Sequence, residues 1–284
     1  MQSAVRLVTG TDGTAKQCRA LLTFIHSLRV AGLVSPDGID VLCAPGSESH
    51  VRAGLGSAGR LCRVFAPTCT LPPNDPYALK FLLTSSDWLG GNDADALLYL
   101  DYDHLAYRVP DLPAAQDGII WISSQQDPLT DLDVPTWPSG LQRHLGGLHP
   151  NTSLIYLTRG SMRACAQEWR DCYQELLHVV GHRWREEVAF GWAARRAGIE
   201  LRHVALDVQA SWRNAAADCT LFHYGGETEA ANVIKEQLLQ TDTPDGMRRV
   251  LLKAESLEMA AYRRVLDVAD ALRNALSLAF ERST

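Results

Sequence analysis

Apolar residues along this chain come in short runs that alternate with stretches of helical spacing. "SAVRLV" leads into "TGTDG" as an apolar strand ending in a turn, and from about Thr14 to Ala31 the residues Leu21, Phe24, Ile25 and Leu28 fall at helical spacing. "GIDVLCAP" predicts a second strand and "LCRVFAP" a third. A helical pattern around Tyr77 to Ser86 then leads into "ALLYL", which ends on Asp101. Strands that alternate with helices imply an α/β fold with a mainly parallel sheet flanked by helices. Ligands of such sheets bind outside the carboxyl ends of the strands, where Thr9, Gly10, Asp12, Asp101 and Asp103 fall.

Beyond this first half, "GIIWISS" precedes the loop "QQDPLTDLDVPTWPSGLQRHLGGLHP", whose length suggests an active-site loop rather than a simple connection. "NTSLIYL" returns as a strand. Helical patterns from about Ser161 to Val179 and from Trp184 to Ala197 follow, then the strand patterns "ELRHVAL" and "CTLFHY". From about Glu227 to Arg282 the spacing is helical, interrupted near "TPDG". The expected division is an α/β domain over 1–226 and a helical extension over 227–284. Val250, Leu251, Leu257, Met259 and Tyr262 give that extension an apolar face, which leaves two roles open: covering the sheet or forming a homodimer interface.

Composition narrows the function classes. A chain of 284 residues with 46% hydrophobic and 21% charged residues is ordinary for a globular enzyme. Its net charge of −6, with arginines scattered among acids, argues against a nucleic-acid partner, which needs a basic stripe. No stretch approaches the roughly 18 apolar residues of a membrane span, and the N-terminal segment lacks the apolar core of a secretory signal, so a cytoplasmic protein is expected. The seven cysteines form neither a CxxC pair nor a zinc-like array and read as free thiols without a catalytic role. Only four of the 27 basic residues are lysine and alanine is abundant, which fits a high-GC bacterial genome.

The acids that end the fourth strand carry the sharpest question. Residues i and i+2 of an extended chain point to opposite sides, so Asp101 and Asp103 can face one ion only if the strand breaks into a turn there. Hard divalent cations take oxygen ligands and complete their shell with phosphate oxygens, which makes such a pair a candidate metal–diphosphate site. The competing reading is a surface turn whose acids cap backbone amides. Each further candidate also carries a structural alternative. Gly10 and Gly13 suit a tight turn as well as close approach to a nucleotide, and their spacing is not GxGxxG. Glu186 and Glu187 fall in the first turn of a predicted helix, where the macrodipole favours acids without chemistry. His223 suits a core position or a metal ligand, and Lys80 a solvent-facing charge or a donor contact. Trp88, Trp121, Trp137 and Trp212 suit the core or an acceptor pocket.

"LLYLDYDHL" resembles the D-x-D segment of nucleotide-sugar-dependent glycosyltransferases of the GT-A fold. Around it, in that family's order, "RLVTGTDG" resembles the first nucleotide-contacting strand, "DPYALKF" the helix that carries a basic donor contact, and "NTSLIYL" the asparagine-led strand at the sugar site. "REEVAFGWAARRAGIEL" resembles the acidic-led helix and "TLFHYGG" the late strand with a metal-binding histidine. The resemblance covers about residues 4 to 226 and implies a GT-A-like twisted sheet. It also implies Mn2+ or Mg2+ held by Asp101, Asp103 and His223, and donor contacts from Val8, Thr9, Gly10, Asp12, Lys80, Asp101, Tyr102, Asp103 and Asn151. Glu187 and Glu186 would act at the sugar or the acceptor hydroxyl. The implied partners are a nucleotide-sugar donor, UDP-linked by preference, and an unidentified acceptor.

Three departures leave the branch, and with it retention or inversion, open: Thr152-Ser153 after the asparagine, a Glu-Glu pair, and "HYGG" without a following lysine. Two other function classes remain. A haloacid-dehalogenase-like phosphatase also uses a strand ending in D-x-D, but its nucleophile lies near the start of the core domain and a Gly-Asp-x-x-x-Asp follows downstream, neither of which holds here. A non-catalytic sugar-nucleotide-binding protein would keep the metal site and turn nothing over.

Overall fold

The computed structural model describes residues 5–34, 38–72, 76–124, 141, 145–180, 182–211, 219–224, 235–250 and 252–253. The opening run forms β1 (Val5–Thr11) and passes into α1 (Ala15–Val30), whose first turn is capped by the Thr14 hydroxyl accepting the Gln17 N–H at 3.3 Å. β2 (Ile39–Cys43), α2 (Glu48–Leu55) and β3 (Cys62–Phe65) follow. A 3-10 helix over Pro76–Thr84 and α3 (Ser86–Gly91) lead to β4 (Ala96–Leu100). The chain continues through β5 (His104–Ala106), β6 (Ile119–Ile122), β7 (Leu154–Thr158), α4 (Arg159–Glu175) and α5 (His182–Arg196). It then forms β8 (Glu200–His203), β9 (Gln209–Ser211) and β10 (Leu221–His223).

Seven strands make the main sheet in the order β3-β2-β1-β4-β7-β6-β8, and β5-β10-β9 make a small second sheet. The main sheet is parallel except for β7, which runs against both of its neighbours, β4 and β6. Every residue of β2 and β4 is buried, as a strand covered on both faces requires, so β4 is a continuous apolar run and β2 is one interrupted only by Asp40. On one face α4, α5 and the 3-10 segment meet around Trp169, which stacks against Phe81 at 4.8 Å and Phe190 at 4.7 Å. Its indole N–H donates to the Glu186 carbonyl at 3.1 Å. That packing sets Lys80, on the 3-10 segment, beside Glu186, on α5.

The pattern around Tyr77 to Ser86 forms a 3-10 helix rather than an α-helix, and almost every residue from Ala78 to Thr84 is buried. β5 and β9 are three residues long, too short for an alternating pattern to mark them in the sequence. All seven cysteines are buried and free. The described part of the C-terminal segment packs Leu238 and Met247 against Leu105, Tyr107, Phe222 and Tyr224 and so covers the small sheet. Leu251, Leu257, Met259 and Tyr262, most of the long loop after β6, Trp137 and Trp212 lie outside the described residues.

One charge is buried near the amino ends of the parallel strands. Asp40 on β2, 1% exposed, receives Arg6 from β1 at 2.6 and 2.9 Å and Arg63 from β3 at 2.8 and 2.9 Å, with the Trp88 indole N–H at 3.0 Å. Burial alone would raise the Asp40 pKa, but the hydrogen bonds and charge of Arg63 and Arg6 outweigh it and hold the carboxyl below the usual range. A depressed carboxyl stabilises the fold above its unfolded pKa of about 4, and that contribution is lost as pH falls below it. Asp40→Asn is expected to cost about 2–4 kcal/mol at pH 7, measured by urea unfolding with an unchanged m-value, and the gap to wild type should narrow toward pH 3. Equal midpoints at pH 7 would show that the network contributes nothing.

Candidate active site

The reversal of β7 brings distant parts of the sequence to one edge. Leu100 of β4 pairs with Leu154 of β7, and the Asp101 N–H donates to the Ser153 carbonyl at 2.9 Å. Asn151, Thr152 and Ser153, which precede an antiparallel strand, therefore lie where the parallel strands end. Just past β4 the chain turns: the His104 N–H donates back to the Asp101 carbonyl at 3.2 Å, closing the break that lets the two aspartates leave the strand. Asp101 Oδ1 accepts the Tyr99 hydroxyl at 2.8 Å. Gly10 at the end of β1 lies beside that same hydroxyl, a Cβ there standing 3.6 Å from it.

Lys80 is 8% exposed, so it is no solvent-facing charge. Its ammonium donates to Thr152 Oγ1 at 2.8 Å and lies 3.4 Å from Asp101 Oδ2 and 3.3 Å from Glu186 Oε2. Burial would lower the Lys80 pKa, but Asp101, Glu186 and Glu187 together outweigh it and keep the ammonium charged. Glu186 and Glu187 diverge although adjacent. Burial, opposed by Lys80 and aided by Glu187 and Asp101, pushes the Glu186 carboxyl up to about 8. Burial also acts on Glu187, yet His149, with Nε2 2.7 Å from Oε2, prevails together with Lys80 and the Thr152 N–H, bringing it down to about 2. Two carboxyls pushed apart in this way are suited to different roles. The helix dipole does not account for them: α5 begins at His182, which places both past its first turn.

A second cluster adjoins the first. Asp103, His104 and His223 offer ligand atoms that all lie within 4.8 Å of one another, and His223 Nε2 is 3.3 Å from Asp103 Oδ1. Burial disfavours a charged His223, but Asp103 and then Asp101 outweigh it and raise its pKa. One carboxylate with imidazole nitrogen is a donor set that fits Mn2+ and suits Mg2+ less well. Asp101 stands at the border of the two clusters, its oxygens turned to Tyr99 and Lys80.

The remaining predicted positions divide. Val8 is wholly buried in the core and Thr9 is equally buried. Asp12 closes the turn before α1: its Oδ1 accepts the Thr14 N–H at 2.8 Å and its own N–H donates to Gln17 Oε1 at 2.7 Å. Gly13 takes a φ of 81°, the turn conformation that glycine permits. Asn151 is 7% exposed, with Oδ1 accepting the Ser153 N–H at 3.0 Å, and Tyr102 is half-buried against the core beneath β1. Trp88 is buried and its indole N–H donates to Asp40, and Trp121 is half-buried against the core with Arg202 over its ring. Sequence reasoning missed Tyr99, His104, His149 and Gln209 as site residues. His104 had a signal, since it directly follows the D-x-D; His149 had none.

No known family profile matches the chain and no curated protein matches it. Solved structures do. The galactosyltransferase LgtC, solved with donor and acceptor sugar analogs, is 16% identical, with 83% of this chain and 95% of that chain covered and a TM-score of 0.54. The glycosyltransferase GlyE of Streptococcus pneumoniae is 10% identical over 88% of this chain and 65% of that one, TM-score 0.55. The bifunctional glycosyltransferase WbbM is 13% identical over 81% and 47%, TM-score 0.50. The fold is accordingly that of the GT-A glycosyltransferases.

Lys80→Met leaves Asp101 and Glu186 buried together without their cation and is expected to cost about 3–5 kcal/mol at pH 7 in metal-free buffer. Carboxyls left without the ammonium hold protons in the fold that they release on unfolding, so the variant should lose further stability as pH rises from about 4. Glu186→Gln in the Lys80→Met background should recover part of the loss in chemical denaturation. A Lys80→Met protein that unfolds at the wild-type midpoint would contradict the ion-pair account.

Proposed function

We propose that this protein is a divalent-metal-dependent glycosyltransferase that moves a sugar from a nucleoside-diphosphate donor, UDP-linked by preference, to an acceptor hydroxyl. The observation that carries the reading is the assembly, at one edge of a GT-A sheet, of the Asp103–His223 pair beside the Lys80–Asp101–Glu186 ion-pair cluster. Asp103 and His223 hold the cation, with Asp101 at its border, and Mn2+ suits their donor atoms better than Mg2+. When bound, the cation offsets charge on the departing diphosphate. Gly10 and the backbone of β1 border the nucleotide, and Asn151 and Thr152 border the sugar.

Of the two glutamates, Glu187 keeps its charge near neutral pH, and so lowered a carboxyl is a weak base suited to orienting the sugar or the acceptor hydroxyl rather than to taking a proton. Glu186 serves Lys80 and sets its position. The phosphatase reading loses its ground, since the strand ending in D-x-D pairs with an antiparallel neighbour and Asp101 is engaged by Tyr99 and Lys80. Among the described residues no helix is long and apolar enough to cross a membrane.

Purified protein given Mn2+ and UDP-, GDP- or dTDP-sugars is expected to release the nucleoside diphosphate from one of them, by slow hydrolysis without an acceptor and faster with one. Asp103→Ala should lower that rate on the order of a hundredfold or more, through loss of charge stabilisation in the transition state. Glu187→Gln should depress kcat with little change in nucleoside-diphosphate affinity. Nucleotide binding without turnover across the panel would instead identify a non-catalytic sugar-nucleotide-binding protein.

A further inference from the structure

His104 belongs to the metal-ligating cluster by distance, yet its hydrogen bonds exclude it from ligation. Nδ1 lies 3.0 Å from the Asp101 carbonyl and Nε2 2.8 Å from Gln209 Nε2. The orientation of the Gln209 amide is fixed by its other end: Gln209 Oε1 accepts the Ser124 N–H at 3.0 Å, so its nitrogen is the atom facing His104 and Ser153 Oγ, the latter at 3.2 Å. An amide nitrogen only donates, which makes His104 Nε2 the acceptor and places the ring proton on Nδ1, donated to the Asp101 carbonyl. Both ring nitrogens are thereby committed to protein partners. The ring is 0% exposed and stacks on His223, centroids 4.7 Å apart and planes 14° apart.

The small sheet explains why these residues meet. His104 on β5 pairs in register with His223 on β10, and β9, which carries Gln209, pairs on the other side. Gln209 is 1% exposed and its carbonyl accepts the Ser124 hydroxyl at 2.5 Å, which ties the small sheet to the end of β6. A rigid line thus runs from β6 through Gln209 and His104 to the imidazole of His223, and through the Asp101 carbonyl to the aspartate turn.

Building on the functional reading above, the geometry points to Gln209 and His104 as a positioning pair: they fix the ring plane of His223 and the Asp101–Asp103 turn, so that a divalent cation meets Asp103 and His223 already oriented. His104 is a supporting residue and not a ligand. Outer-shell partners of this kind typically set metal affinity by about 10- to 100-fold.

The test is Mn2+ binding followed by loss of the free-ion electron paramagnetic resonance signal, with Mn2+ alone and with UDP present, alongside melting in metal-free buffer. His104→Ala and Gln209→Met are each expected to raise the Mn2+ dissociation constant about 10- to 100-fold. The double variant should be little weaker than His104→Ala, because both act through one ring. Were His104 a direct ligand, releasing its Nε2 from Gln209 would strengthen binding; tighter Mn2+ binding by Gln209→Met therefore overturns the inference. Unchanged binding in both variants overturns it too. If His104→Ala fails to fold, Gln209→Met alone decides the sign. Absence of Mn2+ binding by the wild type, with or without UDP, would overturn the functional reading and this inference with it, whereas a wild type that binds, beside variants that bind equally well, leaves that reading standing.

Discussion

The candidate site depends on one buried ammonium. Asp101, Asp103, Glu186 and Glu187 are gathered at the carboxyl ends of the parallel strands, Glu186 buried and the others partly so, and such a concentration of carboxyls is unstable unless cations enter with it. Lys80 supplies the first, placed by the aromatic packing of Trp169 and Phe81 rather than by any local feature of its own segment. His149 supports Glu187, and His223 supports Asp103. The arrangement leaves Asp101 shared between Lys80 and the side on which Asp103 and His223 face each other. In the proposed function, a divalent ion there would complete that charge balance.

Topology delivers these groups from far apart in the sequence. The antiparallel course of β7 turns the residues preceding a strand into residues at the carboxyl edge, which brings Thr152 to Lys80 and Glu187. The three-stranded sheet does the same for His223, which pairs with His104 across more than a hundred residues of chain. Its strands are short, and their value lies in register: a slip of one residue would turn His223 to the opposite face. The cover given by Leu238 and Met247 protects that register from one side.

Much of this could be read in the sequence because the strands of the main sheet are short, largely apolar runs and the acids fall directly after β4, whose run is continuous. Lys80, Asp101, Asp103, Glu186, Glu187 and His223 converge, as the resemblance to GT-A enzymes implied. Along β1 the sequence does not show how its residues are used inside the protein: Val8 packs in the core and the Asp12 carboxylate accepts the Thr14 N–H. It was silent where the determining contact is tertiary. Nothing near His149 or Gln209 in the chain marks them, since their importance comes from Glu187 and His104, which other elements supply. The direction of β7 was equally hidden, because a buried apolar strand reads the same in either sense.

The central claim is that this edge holds a cation together with a nucleoside diphosphate, so that each strengthens the binding of the other. Calorimetric titration of UDP, GDP and dTDP into the protein, with and without Mn2+, measures that coupling directly. The account predicts weak binding without metal and markedly tighter binding of one nucleotide, UDP by preference, when Mn2+ is present. Equal affinity for every nucleotide with and without the ion would contradict it.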